Sequence, residues 1–498
     1  MKKPAYKWVA LSVVTVGSLM VAIDSTIVIL GLPNMLEDLH SNLVLMTWVI
    51  TGYLLATTIL MLTFGRMADM FGRVKMYNLG FIIFTIGSVL CGLAPNDIVL
   101  VAMRLLQGAG GAMLAANAMA IITEAFPAEQ RGQAMGLNVI TWGAGSVLGP
   151  VLGGFILAIA SWRWIFLVNL PVGVLGTLAA YLLLHDIAPN PKGERFDLPG
   201  MLLFLVGIVC VLLGITQGIS DGWLAPQILT LFAVGLVALA AFIFWEQRAA
   251  YPMLDLHLFS NRRYAFSVAA ALLQSLAVFA VQFLIVFYLQ GVRAYSPLTA
   301  AFLILPMPVV TAVLGPFSGR LADRVGGAIP ATVGLLLQGG ALVVLLTLTP
   351  TTPYWALAIA LTLMGTGGGF FWPANTSTTM SAAPSNRLGV ASATLNTLRN
   401  VGMIFSFAIA LAVTAASMPP AVEAAVFLGT VGHLDPAISV AFTNGMQHAF
   451  LASALICILA IFCSIVRGRQ VAKPAPEAPS LEKPVAEPSI AEAHAAGD

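Results

Sequence analysis

One acidic residue, Asp24, stands deep inside an apolar run, nine residues or about 13 Å from the end of that run at Pro33. A lone carboxylate in hydrocarbon is costly, so this one must be paired, neutralised by a proton, or turned toward a water-filled cavity. Each of those states suits a group that takes up and releases a proton. Arg104, a few residues into a later apolar run, is the counter-charge at similar depth. Asp24 and Arg104 therefore read as a proton-coupling pair, in which Arg104 stabilises the carboxylate whenever water reaches it. They also read as a fixed ion pair holding two helices together.

A second chemistry-bearing pattern is repeated. GRMADMFGR at 65–73 recurs as GRLADRVGG at 319–327, matching at Gly65/Gly319, Arg66/Arg320, Ala68/Ala322, Asp69/Asp323 and Gly72/Gly326. Glycines allow a tight turn and close helix approach. Asp69 can accept hydrogen bonds from a helix start or pair with Arg66 or Arg73, which makes a latch that breaks on opening. The predicted gating set is Gly65, Arg66, Asp69, Gly72, Arg73 and Asp323, against the alternative that these charges only fix orientation. The second copy ends in Gly327 where the first has Arg73, which predicts a weaker latch there. Glu124 reads as an interfacial charge.

Gly145, Gly149 and Gly153 follow at i, i+4 and i+8, a bare helical stripe with Pro150 able to bend it. The stripe predicts close packing of one helix across an interface between two halves, or ordinary packing of small residues. Polar and aromatic residues expected to line a central cavity are Trp48, Tyr53, Asn117, Trp142, Gln274, Gln282, Tyr288, Trp372, Asn375 and Asn396. Each also fits an interfacial belt or an interhelical hydrogen bond. Many Phe and Met around one deep carboxylate match a small lipophilic substrate better than a sugar.

The elements that carry these residues follow from composition. Among 498 residues there are 23 Lys and Arg and 21 Asp and Glu, where a soluble chain would carry roughly 125 charges. Hydrophobic residues make up 59% and the mean hydropathy is +0.94, so the surplus must face membrane lipids. Fourteen apolar runs of bilayer length lie near 8–32, 45–65, 76–95, 99–123, 134–159, 163–184, 198–218, 226–245, 264–290, 298–318, 328–349, 354–374, 395–417 and 448–466. They are too long for barrel strands, which predicts an all-α integral membrane bundle. The first run passes Asp24 without a cleavage site and is read as retained. Placing the N-terminus inside puts nineteen cations in inner segments and only Arg163 and Arg293 outside, so both termini are expected to be cytoplasmic.

The repeat divides the chain into a six-helix bundle at 1–185, two inserted helices with cytoplasmic linkers at 186–262, a second six-helix bundle at 263–470, and a disordered cytoplasmic tail at 471–498 rich in Ala, Pro and Glu. The segment 418–447 reads as the largest outer loop. Two related halves around a midplane site are what alternating access requires. Cys91, Cys210, Cys457 and Cys463 lie in apolar runs without metal-ligand spacing, and six histidines are scattered at loops and ends. No Walker loop, basic patch or nucleophile motif occurs, so no cofactor, metal, nucleic acid or enzymatic activity is expected.

The sequence resembles the major facilitator superfamily, and within it the fourteen-span drug:proton antiporters of the EmrB/QacA type. The 65–75 loop resembles motif A of that superfamily, RLLQGAGGA from Arg104 its motif B, and GSVLGPVLGG at 145–154 the antiporter motif C. IDSTIVILGLP at 23–33, WVITGYLLA at 48–56, SWRWIFLVNLPVG at 161–173 and FDLPG at 196–200 are also similar to that group. The resemblance implies the major facilitator fold, a bacterial plasma-membrane location, and efflux driven by protons. Other readings are a dedicated exporter of one endogenous lipid or metabolite, a non-transporting receptor, or a membrane enzyme. The sequence does not specify a periplasmic adaptor.

Overall fold

Backbone N–H and C=O groups find no partner in lipid, so an apolar run of bilayer length must satisfy its own, and helix is the result. The structure is a computed structural model that describes residues 3–127, 130–186, 197–249, 252, 254, 256–384, 388–418 and 436–468. Among the described residues there is no strand, and fourteen helices are long and apolar enough to cross a membrane. They are α1 (Lys3–Asp38), α2 (Leu43–Phe71), α3 (Arg73–Gly92), α4 (Asp97–Ala125), α5 (Arg131–Ile159), α6 (Arg163–Leu183), α7 (Leu198–Asp221) and α8 (Pro226–Glu246). After them come α9 (Arg262–Val292), α10 (Pro297–Ile304 and Pro306–Val325), α11 (Ala328–Leu345), α12 (Tyr354–Ala382), α13 (Leu388–Ala416) and α14 (Pro436–Val466).

Local chemistry sets the helix ends. The side chains of Asn42, Asn96 and Ser296 accept from the backbone N–H of Leu45, Val99 and Thr299, capping α2, α4 and α10. The two copies of the repeated loop turn alike. Gly72 between α2 and α3 has φ 109°, and Gly326 between α10 and α11 has φ 82°, a region that strains any residue with a Cβ. Pro306 begins the second piece of α10, where its missing N–H leaves the helix interrupted at Leu305.

Two sequence expectations shift here. Residues 436–447 are not loop but the first turns of α14; Asn444, Gln447 and His448 lower the local hydropathy, while Phe442 and Met446 face inward and are buried. In the same way α13 starts at Leu388, seven residues before its apolar run. Residues 419–435, and the tail at 471–498, lie outside the described residues.

Helices α1–α6 pack chiefly on one another, as do α9–α14, while α7 and α8 pair together and α7 rests on α2 and α13. Thr63 of α2 donates to the Met201 sulfur of α7 at 3.2 Å. The even number of crossings brings the chain back to the side on which it starts, called here the terminus side. On the far side the halves touch directly: Gln290 at the end of α9 donates to the Leu30 carbonyl of α1 at 3.0 Å, and Gly154 of α5 lies against Leu298 and Ala301 of α10. The long contact between α2 and α13 completes the seam.

Candidate functional site: a buried carboxylate network in the first half

The side chain of Asp24 is 0% exposed and that of Arg104 1%. Arg104 donates through Nη1 to Asp24 Oδ2 at 2.7 Å. The other carboxylate oxygen, Oδ1, accepts from Gln107 Nε2 at 2.8 Å and from Asn169 Nδ2 at 3.1 Å. Arg104 also donates through Nη1 to Gln107 Oε1 at 2.7 Å and through Nε to the Val49 carbonyl at 2.9 Å. Its guanidinium lies 4.2 Å from the centroid of the Tyr53 ring, a further electrostatic contact for a desolvated cation. Asn169 reaches Ser88 Oγ at 3.0 Å, and Ser88 donates to the Phe166 carbonyl at 2.8 Å.

Three helices, α1, α4 and α6, thus meet on one carboxylate, and α2 and α3 join them through Val49 and Ser88. A buried ion pair is stable only when hydrogen bonds satisfy its remaining lone pairs and protons. Here both carboxylate oxygens are occupied. Arg104, Gln107 and Asn169 all turn donors toward the carboxylate, which organises them around it.

The remaining helix of this half, α5, supplies the seat. Gly145, Gly149 and Gly153 face α1, where a Cβ on each would meet Ala22, Thr26 and Ile27 respectively. This corrects the expected role of the stripe, which lies within one half and not between halves. The adjacent edge of α5 makes the inter-half contact, through Gly143 against Ala312 and Gly154 against Ala301. The reason is angular: residues four apart stay on one face of a helix, and the positions next to them turn about 100° away. Pro150 is buried in the middle of α5.

At the terminus side, the first loop copy is tied down from α4 and the end of α6. Arg73 Nη1 and Glu124 Oε1 are 2.6 Å apart, so Glu124 is a partner of the loop. Asp186 accepts from the Val74 N–H at 2.8 Å, and a Cβ on Gly72 would strike its carboxylate. Gly65 lies beside Ala116. The side chains of Arg66, Asp69 and Asp323 lie outside the described residues, although their backbones are helical. At the second copy, Arg467 at the end of α14 takes the corresponding place. It donates through Nη1 to Asn375 Oδ1 at 2.7 Å, and through Nη2 to the Gly327 and Ala328 carbonyls at 3.3 and 3.1 Å.

The expected cavity residues are dispersed. Tyr53 belongs to the Arg104 contact. Asn117 donates back to the Met113 carbonyl, Asn396 to that of Ser392, and Gln274 to Gln338 Oε1 at 3.1 Å. Asn375 is fully buried between the Ser267 carbonyl and Arg467. Tyr288 lies at the far end of α9 and donates to the Thr349 carbonyl at 2.8 Å. Trp48 packs on the main core, Trp142 is 38% exposed, Gln282 is part-buried, and Trp372 lies under the guanidinium of Arg399. Gln107, Ser88 and Asn169 escaped the sequence reading. Gln107 was within reach of it, one turn from Arg104 on the same face, whereas Ser88 and Asn169 join the site only through the packing of α3 and α6.

Comparison with known proteins places this architecture. The model of the Major Facilitator Superfamily matches residues 14–407. The multidrug resistance protein Stp of Mycobacterium tuberculosis is 32% identical over 408 residues, covering 82% of this chain and 76% of its own length. The riboflavin transporter RibZ of Clostridioides difficile is 30% identical over 398 residues, 79% of this chain and 85% of its own. Among solved structures, an inward-facing, unoccupied bacterial homologue of the human lysosomal transporter Spinster aligns with a TM-score of 0.65 at 18% identity, over 93% of this chain and 97% of that one, a likeness of fold. With fourteen apolar helices in two packed sets and a family match over most of its length, this multi-pass membrane protein belongs to the Major Facilitator Superfamily, whose members are transporters and not enzymes.

Proposed function

We propose that the protein is a proton-coupled exporter of lipophilic compounds, working by alternating access between its two halves, with Asp24 and Arg104 as the coupling pair. The observation that carries this reading is the four-group cluster of Asp24, Arg104, Gln107 and Asn169, which gathers a single deep carboxylate and its counter-charge from three separate helices. Water reaching Asp24 through an opened far side lets it exchange its proton. Protonation frees Arg104 and the two amides, and that loss of ties between α1, α4 and α6 is what biases the halves toward the other state. With the termini on the cytoplasmic side, inward proton flow is driven by the membrane potential at about 2.3 kcal/mol per charge per 100 mV.

The similarity to a multidrug resistance protein and the apolar character of the chain favour drugs, dyes or lipids as cargo. The riboflavin transporter among the relatives favours the second reading, export of one dedicated compound. Substrate-induced pH change in proteoliposomes, screened across lipophilic cations, neutral drugs, lipids and riboflavin, separates the two by the breadth of response. In that assay Asp24→Asn should reduce substrate-driven proton movement to that of protein-free vesicles. Proton movement equal to that of the unaltered protein would remove Asp24 from the mechanism.

A further inference from the structure

A second guanidinium lies at membrane depth, and the coupling cluster does not use it. Arg399 lies inside the candidate span Val390–Ala416, nine residues or about 13 Å along the helix axis from Val390. Its Nε is buried without a hydrogen-bond partner, although the residue as a whole is only part-buried. No carboxylate among the described residues is within ion-pair distance. The guanidinium lies 5.1 Å from the ring of Trp372 on α12, which attracts a cation but offers its N–H groups no acceptor.

The contrast with Arg104 is instructive. Arg104 rests on Tyr53 in the same manner, yet it also has Asp24, Gln107 and the Val49 carbonyl. Arg399 has no such set among the described residues. From 263 to 468 the only acidic residues are Asp323, Glu423 and Asp435, one near the end of α10 and two between α13 and α14. Asp24 already has both oxygens occupied. Among the described residues Arg399 therefore has no counter-charge inside its span, and an intramembrane cation left in that state points to a ligand site.

We infer that Arg399, lying over Trp372 and three residues from Asn396, receives the anionic group of a lipophilic cargo: a carboxylate, sulfonate or phosphate ester on an apolar body. The planar fork of a guanidinium matches two oxygens of such a group, and the charge it brings completes the balance that the protein leaves open. The inference rests on the exporter reading for the word cargo, but the binding it predicts needs no proton flux.

The test is equilibrium binding of pyrenebutyrate and pyrenebutanol, which share one apolar body and differ in the anionic head, to the full chain in nanodiscs of zwitterionic lipid. After correction for partition into empty discs, the acid should bind about tenfold or more tightly than the alcohol, as a charge-assisted contact requires. Arg399→Gln should erase that preference and Arg399→Lys should keep part of it. An unaltered protein without the preference overturns the inference. So does a preference that persists in an Arg399→Gln protein eluting as a single species. Loss of acid binding on adding phosphatidylglycerol to the discs would make the site a lipid headgroup site, and would also overturn the cargo assignment. Coupling is judged separately: normal proton flux in Asp24→Asn sinks the proton mechanism while leaving this preference intact.

Discussion

At the scale of single residues, the two halves solve the same problem with opposite charges. Beyond α6, Asp186 accepts from the start of α3. At the end of α14, Arg467 grips the Gly327 and Ala328 carbonyls at the start of α11 and orients Asn375. Arg467 is 2% exposed with no carboxylate against it among the described residues, and its burial pushes the guanidinium down to about 10. Truncating it leaves the buried side-chain oxygen of Asn375 without its donor, at a desolvation cost, and removes one of the donors to the Gly327 and Ala328 carbonyls. Arg467→Ala is expected to lower stability by about 1–3 kcal/mol, read as an earlier thermal unfolding midpoint in detergent. The Arg73–Glu124 pair is different in kind. With side chains 32% and 16% exposed, it is screened by water and contributes little to stability; its value lies in where it holds the loop.

At the scale of elements, α5 seats the site because its bare stripe lets α1 approach closely at the turn that carries Asp24. A Cβ at Gly149 would collide with the Thr26 hydroxyl and lie within 3.1 Å of the Ile23 carbonyl. Gly149→Val should therefore displace α1, at a cost of about 1–3 kcal/mol from overpacking, and abolish export while the chain still inserts. Thr26→Ala in the same chain should recover part of the thermal stability, because it removes the nearest colliding atom. Export equal to that of the unaltered protein, measured alongside surface abundance, would show that the spacing of α1 and α5 has no part in transport. The stripe was plain in the sequence, since its spacing is periodic. Its partner was not, because periodicity tells which residues share a face and nothing about which neighbour that face meets.

At the scale of the whole molecule, the halves are joined on the far side by Gln290 to Leu30 and by α5 to α10, so opening there requires those contacts to part. The distribution of cations predicts which compartment that side faces. A fluorescent protein fused to the C-terminus should fluoresce in cells and alkaline phosphatase at the same point should stay inactive; the reverse pair of results would invert the orientation and with it the direction of transport. The number of spans, their helical nature, the repeated Gly72 and Gly326 turns, and the pairing of Asp24 with Arg104 were all determined by the sequence. Hydrophobic run length and charge burial are local or one-to-one constraints, which a linear pattern can express. Only the tertiary structure decided that Asn169 and Ser88 complete the carboxylate network, that the glycine stripe closes on α1, and that Arg399 lies over Trp372 with no carboxylate beside it among the described residues. Each of those depends on which of fourteen similar apolar helices become neighbours, and helices that are alike to lipid leave that choice to packing among polar and small side chains far apart in the chain.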